Sequence, residues 1–319
     1  VRALTAQLLA LFCLLALAGC GLGAGPAPKA VRLLVTSEFG ARVLHDAPQP
    51  KIAGQETVMS LLLRNYAVST RFGGGFVQSI DGLAGHEGTR PVDWFYFVNG
   101  VEASKGAAAT NVHPGDHIWW DRHDWSQTND TAAVVGSYPE PFLNGLEGKR
   151  LPVRVECSRD AGTACETVAH RLQADGVPAA VAAFGSGGGS AILRVLVGTW
   201  VSLRADRGVA EIERGPRASG VYATFASSGK ALTLLSADGR SAPLNVAGVG
   251  LIAATRNGEE PPVWVVTGDD VTGVRHAAAD FNEATLRDRF AVAVLPSGSP
   301  VALPVPNGGH TAALLTGTG

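Results

Sequence analysis

The run Trp94-Phe95-Tyr96-Phe97-Val98, followed at once by Asn99-Gly100, restricts the fold more than any other part of this 319-residue chain. Aromatic and β-branched residues favour the pleated surface of a strand, and Asn-Gly after such a run is a strong signal for a two-residue hairpin turn. Side chains alternate across a strand, so Trp94 and Tyr96 share one face while Phe95 and Phe97 share the other. One face must be core. The other either packs under further chain or presents rings to a flat, partly apolar ligand, with indole N–H and phenol O–H groups to orient it. Trp119-Trp120 repeats the pattern on a second strand. A unit of under about 100 residues has little interior to hide so many rings, so at least two of them are expected at the surface.

Local signals around this strand order a small mixed unit over 31–125. Val31 to Thr36 is β-rich, and Gly54 opens a segment where Val58, Leu61 and Leu62 fall at helical spacing up to Asn65. Phe76 to Ile80 reads as a strand closed by Asp81-Gly82, and His113-Pro114-Gly115-Asp116 turns into the strand Ile118 to Arg122. A connector rich in Pro and Gly covers 126–150. Over 151–295 a strand from Val153, a helix around Glu166 to Ala174 and further strands give an α/β order. There the strand Val263 to Gly268 runs into Asp269-Asp270, which suit a helix cap better than a ligand. The Pro-, Gly- and Ser-rich residues 296–319 read as a loosely ordered tail. The fold class is α+β, a small sheet-plus-helix domain followed by a separate α/β domain.

The N-terminus bears on location. Arg2 precedes an uncharged apolar run from Leu8 to Leu17, shorter than the roughly 20 residues that span a bilayer. The Leu17-Ala18-Gly19-Cys20 that follows resembles the lipobox of bacterial lipoproteins. That resemblance implies removal of 1–19, lipidation of Cys20 and anchorage on the extracytoplasmic face of the cell membrane. A plain secretory peptide with a chance cysteine is the alternative. Gly21 to Ala30 has the composition of a flexible tether. Of four cysteines, Cys157 and Cys165 remain for the folded part and are expected to form a disulfide. With 46% hydrophobic and 17% charged residues the chain is a folded one. A net charge of -2 leaves no basic footprint for nucleic acid or anionic lipid, so membrane contact rests on the Cys20 lipid.

The order of motifs over 31–125 resembles the transcobalamin C-terminal-like domain, a small β-grasp-like module. The matching pieces are Gly54 with Val58 and Leu62, Gly75-Phe76-Val77 with Ser79-Ile80-Asp81-Gly82, the aromatic strand through Gly100 with Gly106, and Pro114-Gly115-Asp116 with Ile118-Trp119-Trp120. They span just under a third of the chain. The resemblance implies a binding module whose ligand is flat, with cobalamin or another corrinoid as the best-specified candidate. No segment has the length or helical periodicity of the barrel that supplies the other half of the site in the vertebrate carriers. A membrane transporter or a second ligand-binding chain is therefore an expected partner.

Phe76, Trp94, Tyr96, Asn99, Trp119, Trp120 and Trp125 are the expected ligand-binding residues. His117, Asp121 and His123 share a strand face and form a candidate metal or axial-ligand set, beside the alternative of solvated rim residues. No cofactor is required and no nucleophile or acid/base constellation stands out, so an enzyme is not expected. An adhesion or assembly module, meeting a protein or wall polymer through the aromatic surface, is the alternative function. A concave aromatic surface would favour the small ligand and a flat one the polymer.

Overall fold

A computed structural model describes residues 27–86, 88–128, 130–186, 191–244 and 246–307. The expected leader 1–19, Cys20, the tether up to residue 26 and the tail from 308 lie outside the described residues.

The first sheet forms where turn chemistry and apolar alternation agree. A hairpin of β1 (Arg32–Ser37) and β2 (Arg42–Ala47) leads to helix α1 (Val58–Asn65). Thr57 and Ser60 start α1 as a reciprocal capping box, so two N–H groups at its N-terminus find partners. Strands β3 (Val68–Arg71), β4 (Phe76–Ile80) and β5 (Leu83–Ala84) make a small antiparallel sheet of their own. Strands β6 (Val92–Val98), β7 (Val101–Glu102) and β8 (His117–Asp124) complete a five-stranded sheet in the order β2-β1-β8-β6-β7. Its β1–β8 pair is parallel and the other pairings are antiparallel. Asn99 and Gly100 both take positive φ, 53° and 77°, in the tight turn from β6 to β7.

The second sheet follows from β9 (Val153–Cys157), α2 (Thr163–Ala174), β10 (Ala179–Ala183) and β11 (Leu193–Thr199). Short helices α3 (Trp200–Leu203), α4 (Arg207–Glu213) and α5 (Pro216–Ser219) precede a three-stranded sheet of β12 (Ala223–Phe225), β13 (Leu232–Leu235) and β14 (Ser241–Pro243). Then come β15 (Gly250–Thr255), β16 (Val263–Gly268), α6 (Val271–Ala279), α7 (Glu283–Leu286), β17 (Ala291–Val294) and β18 (Pro300–Leu303). The seven strands run β10-β9-β11-β16-β15-β17-β18, the first four parallel and the rest antiparallel. Sheets with helices interspersed make the chain α+β. Cys157, closing β9, is disulfide-bonded to Cys165 in α2, with Cα atoms 5.8 Å apart. Asp270 caps α6 by accepting from the Gly273 N–H, and Asp269 holds the Gly248 and Val249 N–H groups.

Two expectations are corrected. Residues 296–307 are not a loose tail, because β18 pairs with β17 from Leu303↔Ala291 to Pro300↔Val294 and buries Val301 and Leu303. The crowded aromatics are not at the surface: Trp94, Tyr96, Phe97, Trp119 and Trp120 are all buried. The reason is that both faces of the first sheet are covered. On one, Leu33, Val35, Ile118 and Trp120 pack with Val58, Leu61 and Leu62 of α1. On the other, Leu34, Phe97 and Trp119 join Tyr222, Leu251 and Phe290 in a core shared with the second sheet. The 126–150 connector is built in as well, with Val134 in that shared core and Val135, Tyr138 and Phe142 in the core beneath α2 and α6.

Candidate functional site

On the helix side of the first sheet the register sets Tyr96 opposite Trp120, and their rings stack with centroids 4.9 Å apart. Trp94 lies two residues before Tyr96 on the same face, while β4 brings Phe76 alongside from the small sheet. Together with Trp125, just past the end of β8, these rings line a cavity of about 340 Å³. Space is left because Gly75, Ala103, Gly106 and Ala107 bring almost no side-chain volume to its wall. Phe76, 38% exposed, stands at the rim, and the neighbouring turn shows Phe72 at 87% exposure.

The polar atoms of this wall divide into engaged and unengaged. Trp94 donates its indole N–H to Leu83 O at 3.3 Å, and Tyr96 donates its hydroxyl to Lys105 O and lies 2.8 Å from Thr110 Oγ1. The indole N–H groups of Trp120 and Trp125 are buried beneath the cavity surface and have no hydrogen-bond partner among the described residues. Leaving such a donor unpaired costs about 1–3 kcal/mol, which an acceptor atom of a bound molecule would recover. Two carboxyls complete the wall. Burial, with Asp130 beside it, pushes Glu102 up to about 9, so it is protonated through neutral pH; it also accepts from the Thr131 N–H at 2.6 Å. Burial likewise raises Asp93, against the Trp94 N–H that donates to it. The cavity is thus aromatic, with one neutral carboxyl, that of Glu102, in its wall and two unpaired indole donors buried behind its rings.

Five of the seven expected ligand-binding residues, Phe76, Trp94, Tyr96, Trp120 and Trp125, meet in this cavity. Asn99 and Trp119 do not. Asn99 spends its side chain on the turn, donating to Asp116 Oδ1 at 2.9 Å and Gly145 O at 2.8 Å and accepting from the His117 N–H at 2.8 Å. Trp119 points to the opposite face, fully buried, and donates to Thr36 Oγ1 at 2.7 Å.

The proposed metal set is also corrected. No group of three His, Cys, Asp or Glu among the described residues is placed to hold a metal ion. His117, Asp121 and His123 do share a strand face, but it is the face covered by the second sheet. Asp121 is saturated by Thr36 Oγ1 at 2.5 Å, the Phe39 and Gly40 N–H groups and His123 Nδ1 at 2.8 Å. His123 is stacked between Phe39 and Phe95 at 4.6 and 4.4 Å. His117 lies against Arg32 at 3.4 Å; burial first, and that guanidinium second, push it down to about 3, so it stays neutral. This is a polar network inside a core, satisfied by its own members.

Sequence reasoning missed Glu102, Asp93 and the small residues that hollow the wall. The usable signal was Glu102 itself, an acidic residue on a hairpin arm opposite Phe97. The family model described as a domain of unknown function, DUF4430, the transcobalamin-like domain family, matches residues 55–124, from just before α1 to the end of β8. No curated protein matches the chain.

Proposed function

We propose that this chain is a binding protein for a flat, partly apolar small molecule, which it captures in the aromatic cavity of its first sheet. The observation that carries the reading is a concave wall of aromatic rings backed by two indole donors, those of Trp120 and Trp125, that have no partner among the described residues. Small-molecule sites have this composition, mostly apolar with a few placed polar groups, and run from roughly 300 to 1,000 Å³. At about 340 Å³ the cavity takes one or two fused rings. A corrinoid would therefore seat a peripheral group there, without imidazole ligation, because His117 and His123 are buried and engaged elsewhere. The reading includes a lipid anchor at Cys20, a place on the extracytoplasmic face and delivery to a transporter or second chain; it assigns no catalysis. A second reading, docking of a protein or wall polymer, is favoured by Phe72, exposed beside the rim.

Tryptophan fluorescence of the purified chain, titrated with benzimidazole and with hydroxocobalamin, tests the proposal. Saturable quenching by benzimidazole, or by hydroxocobalamin without a change in its absorbance spectrum, is the expected result. Absence of saturable quenching by both would overturn it. A hydroxocobalamin spectral shift of imidazole ligation would overturn the account of the histidines.

A further inference from the structure

A larger cavity, about 410 Å³, lies between the end of the first sheet and the 256–261 loop that joins β15 to β16. Glu102 and Ala103 line it and the aromatic cavity alike, so the two abut across β7 and the residue after it. Tyr96 ties them further: its ring is in the aromatic wall, and its hydroxyl fixes Lys105 and Thr110, which line the larger cavity.

The charges of the larger cavity do not cancel. Lys105 is paired with Glu147 at 3.3 Å, and Arg256 with Glu259 at 3.2 Å. Glu102, the wall residue common to both cavities, is neutral while its carboxyl keeps the proton that burial holds on it. Lys149 is exposed, lines the cavity and has no acidic partner among the described residues. One uncompensated positive charge at the mouth of a cleft suits a ligand with one negative charge. A phosphate would call for several uncompensated cations, whereas Lys105 and Arg256 are already paired with Glu147 and Glu259.

We infer that the two cavities form one bipartite site, in which a planar ring fills the aromatic cavity and a carboxylate-bearing arm passes over Ala103 toward Lys149. This rests on the function proposed above and adds the class of ligand, a planar heteroaromatic carboxylate. The two units of the chain then contribute to a single site, the first supplying the rings and the 98–113 lining of the cleft, and the 146–151 and 256–261 segments the remainder.

Titrations of the full chain with benzimidazole, 3-(benzimidazol-2-yl)propanoate and propanoate, repeated on Lys149→Ala, test this. The arm-bearing compound is expected to bind about five- to tenfold more tightly than benzimidazole, the scale of a charge-assisted contact at a partly solvated site. Lys149→Ala should remove that advantage and leave the affinity for benzimidazole unchanged. Equal binding of the two compounds, or an advantage that survives Lys149→Ala, would overturn the bipartite site while leaving the aromatic cavity as a binding site. Failure of both compounds to bind would overturn the bipartite site, and the proposed function with it where hydroxocobalamin also gives no saturable quenching.

Discussion

Trp120 and Trp125 share a wall with Trp94 and Tyr96, yet only the first two leave a buried donor idle. Trp120→Phe keeps the ring stacked on Tyr96 and removes the N–H. Affinity for benzimidazole should drop about five- to tenfold, read by fluorescence titration, because the hydrogen bond formed on binding is lost. Glu102 gives a second prediction. Its folded-state pKa is raised to about 9, so the folded chain holds a proton that the unfolded chain releases above about 4.5. Its contribution to stability is present at low pH and is lost as pH rises toward 9. His117, pushed down to about 3, acts in the opposite direction, lowering stability as pH falls below 6.5, and Glu140 titrates near 7. Between pH 7 and 9 Glu102 is therefore the dominant contributor of the three. The unfolding free energy from denaturant titration should fall across that window, by up to about 1.4 kcal/mol per pH unit, and Glu102→Gln should flatten the slope. Residue type and alternation were enough to find five rings of the cavity wall. They could not find Glu102 or the unpaired donors, since pairing depends on which backbone carbonyls the fold brings near.

The turn from β6 to β7 shows how an element was legible while the role of its residue was not. Asn-Gly announces the hairpin, and both residues take the positive φ that such a turn requires. Asn99 was expected at the ligand, but its side chain makes three buried hydrogen bonds to the 113–117 turn and the connector. Asn99→Ala should cost about 2–4 kcal/mol in chemical denaturation, through lost hydrogen bonds and backbone strain, and leave the affinity of the folded protein unchanged. A large loss of affinity with little loss of stability would restore Asn99 to the site. Helix α1, β4, β6 and α6 were readable because capping, spacing and turn residues agree within each segment. Strand β18 was not, because a four-residue edge strand opening with Pro300 carries too little periodicity to outweigh its Pro- and Ser-rich surroundings.

At the scale of the whole molecule, the first sheet is a middle layer, with α1 on one side and the second sheet on the other. Phe290, far along the chain, touches Phe39, Phe97, Trp119 and His123 with ring centroids 5.1 to 5.4 Å apart. No local pattern in the sequence announces a contact of that separation, which is why the aromatics looked surplus to a small domain. Phe290→Ala opens a cavity in the shared core and should cost about 3–5 kcal/mol. Both sheets should lose stability together in one unfolding transition; a change confined to the second sheet would show that the shared core does not couple them. The burial that removed Trp119 and the histidines from any ligand leaves the aromatic cavity on the helix side as the place for one. An indole N–H correlation spectrum tests that claim most directly, since the chain has six tryptophans and each contributes one resonance. On addition of benzimidazole the resonances of Trp120 and Trp125 are predicted to move, while those of the fully buried Trp119, Trp200 and Trp264 stay in place. Stationary Trp120 and Trp125 resonances at saturating benzimidazole would contradict the account.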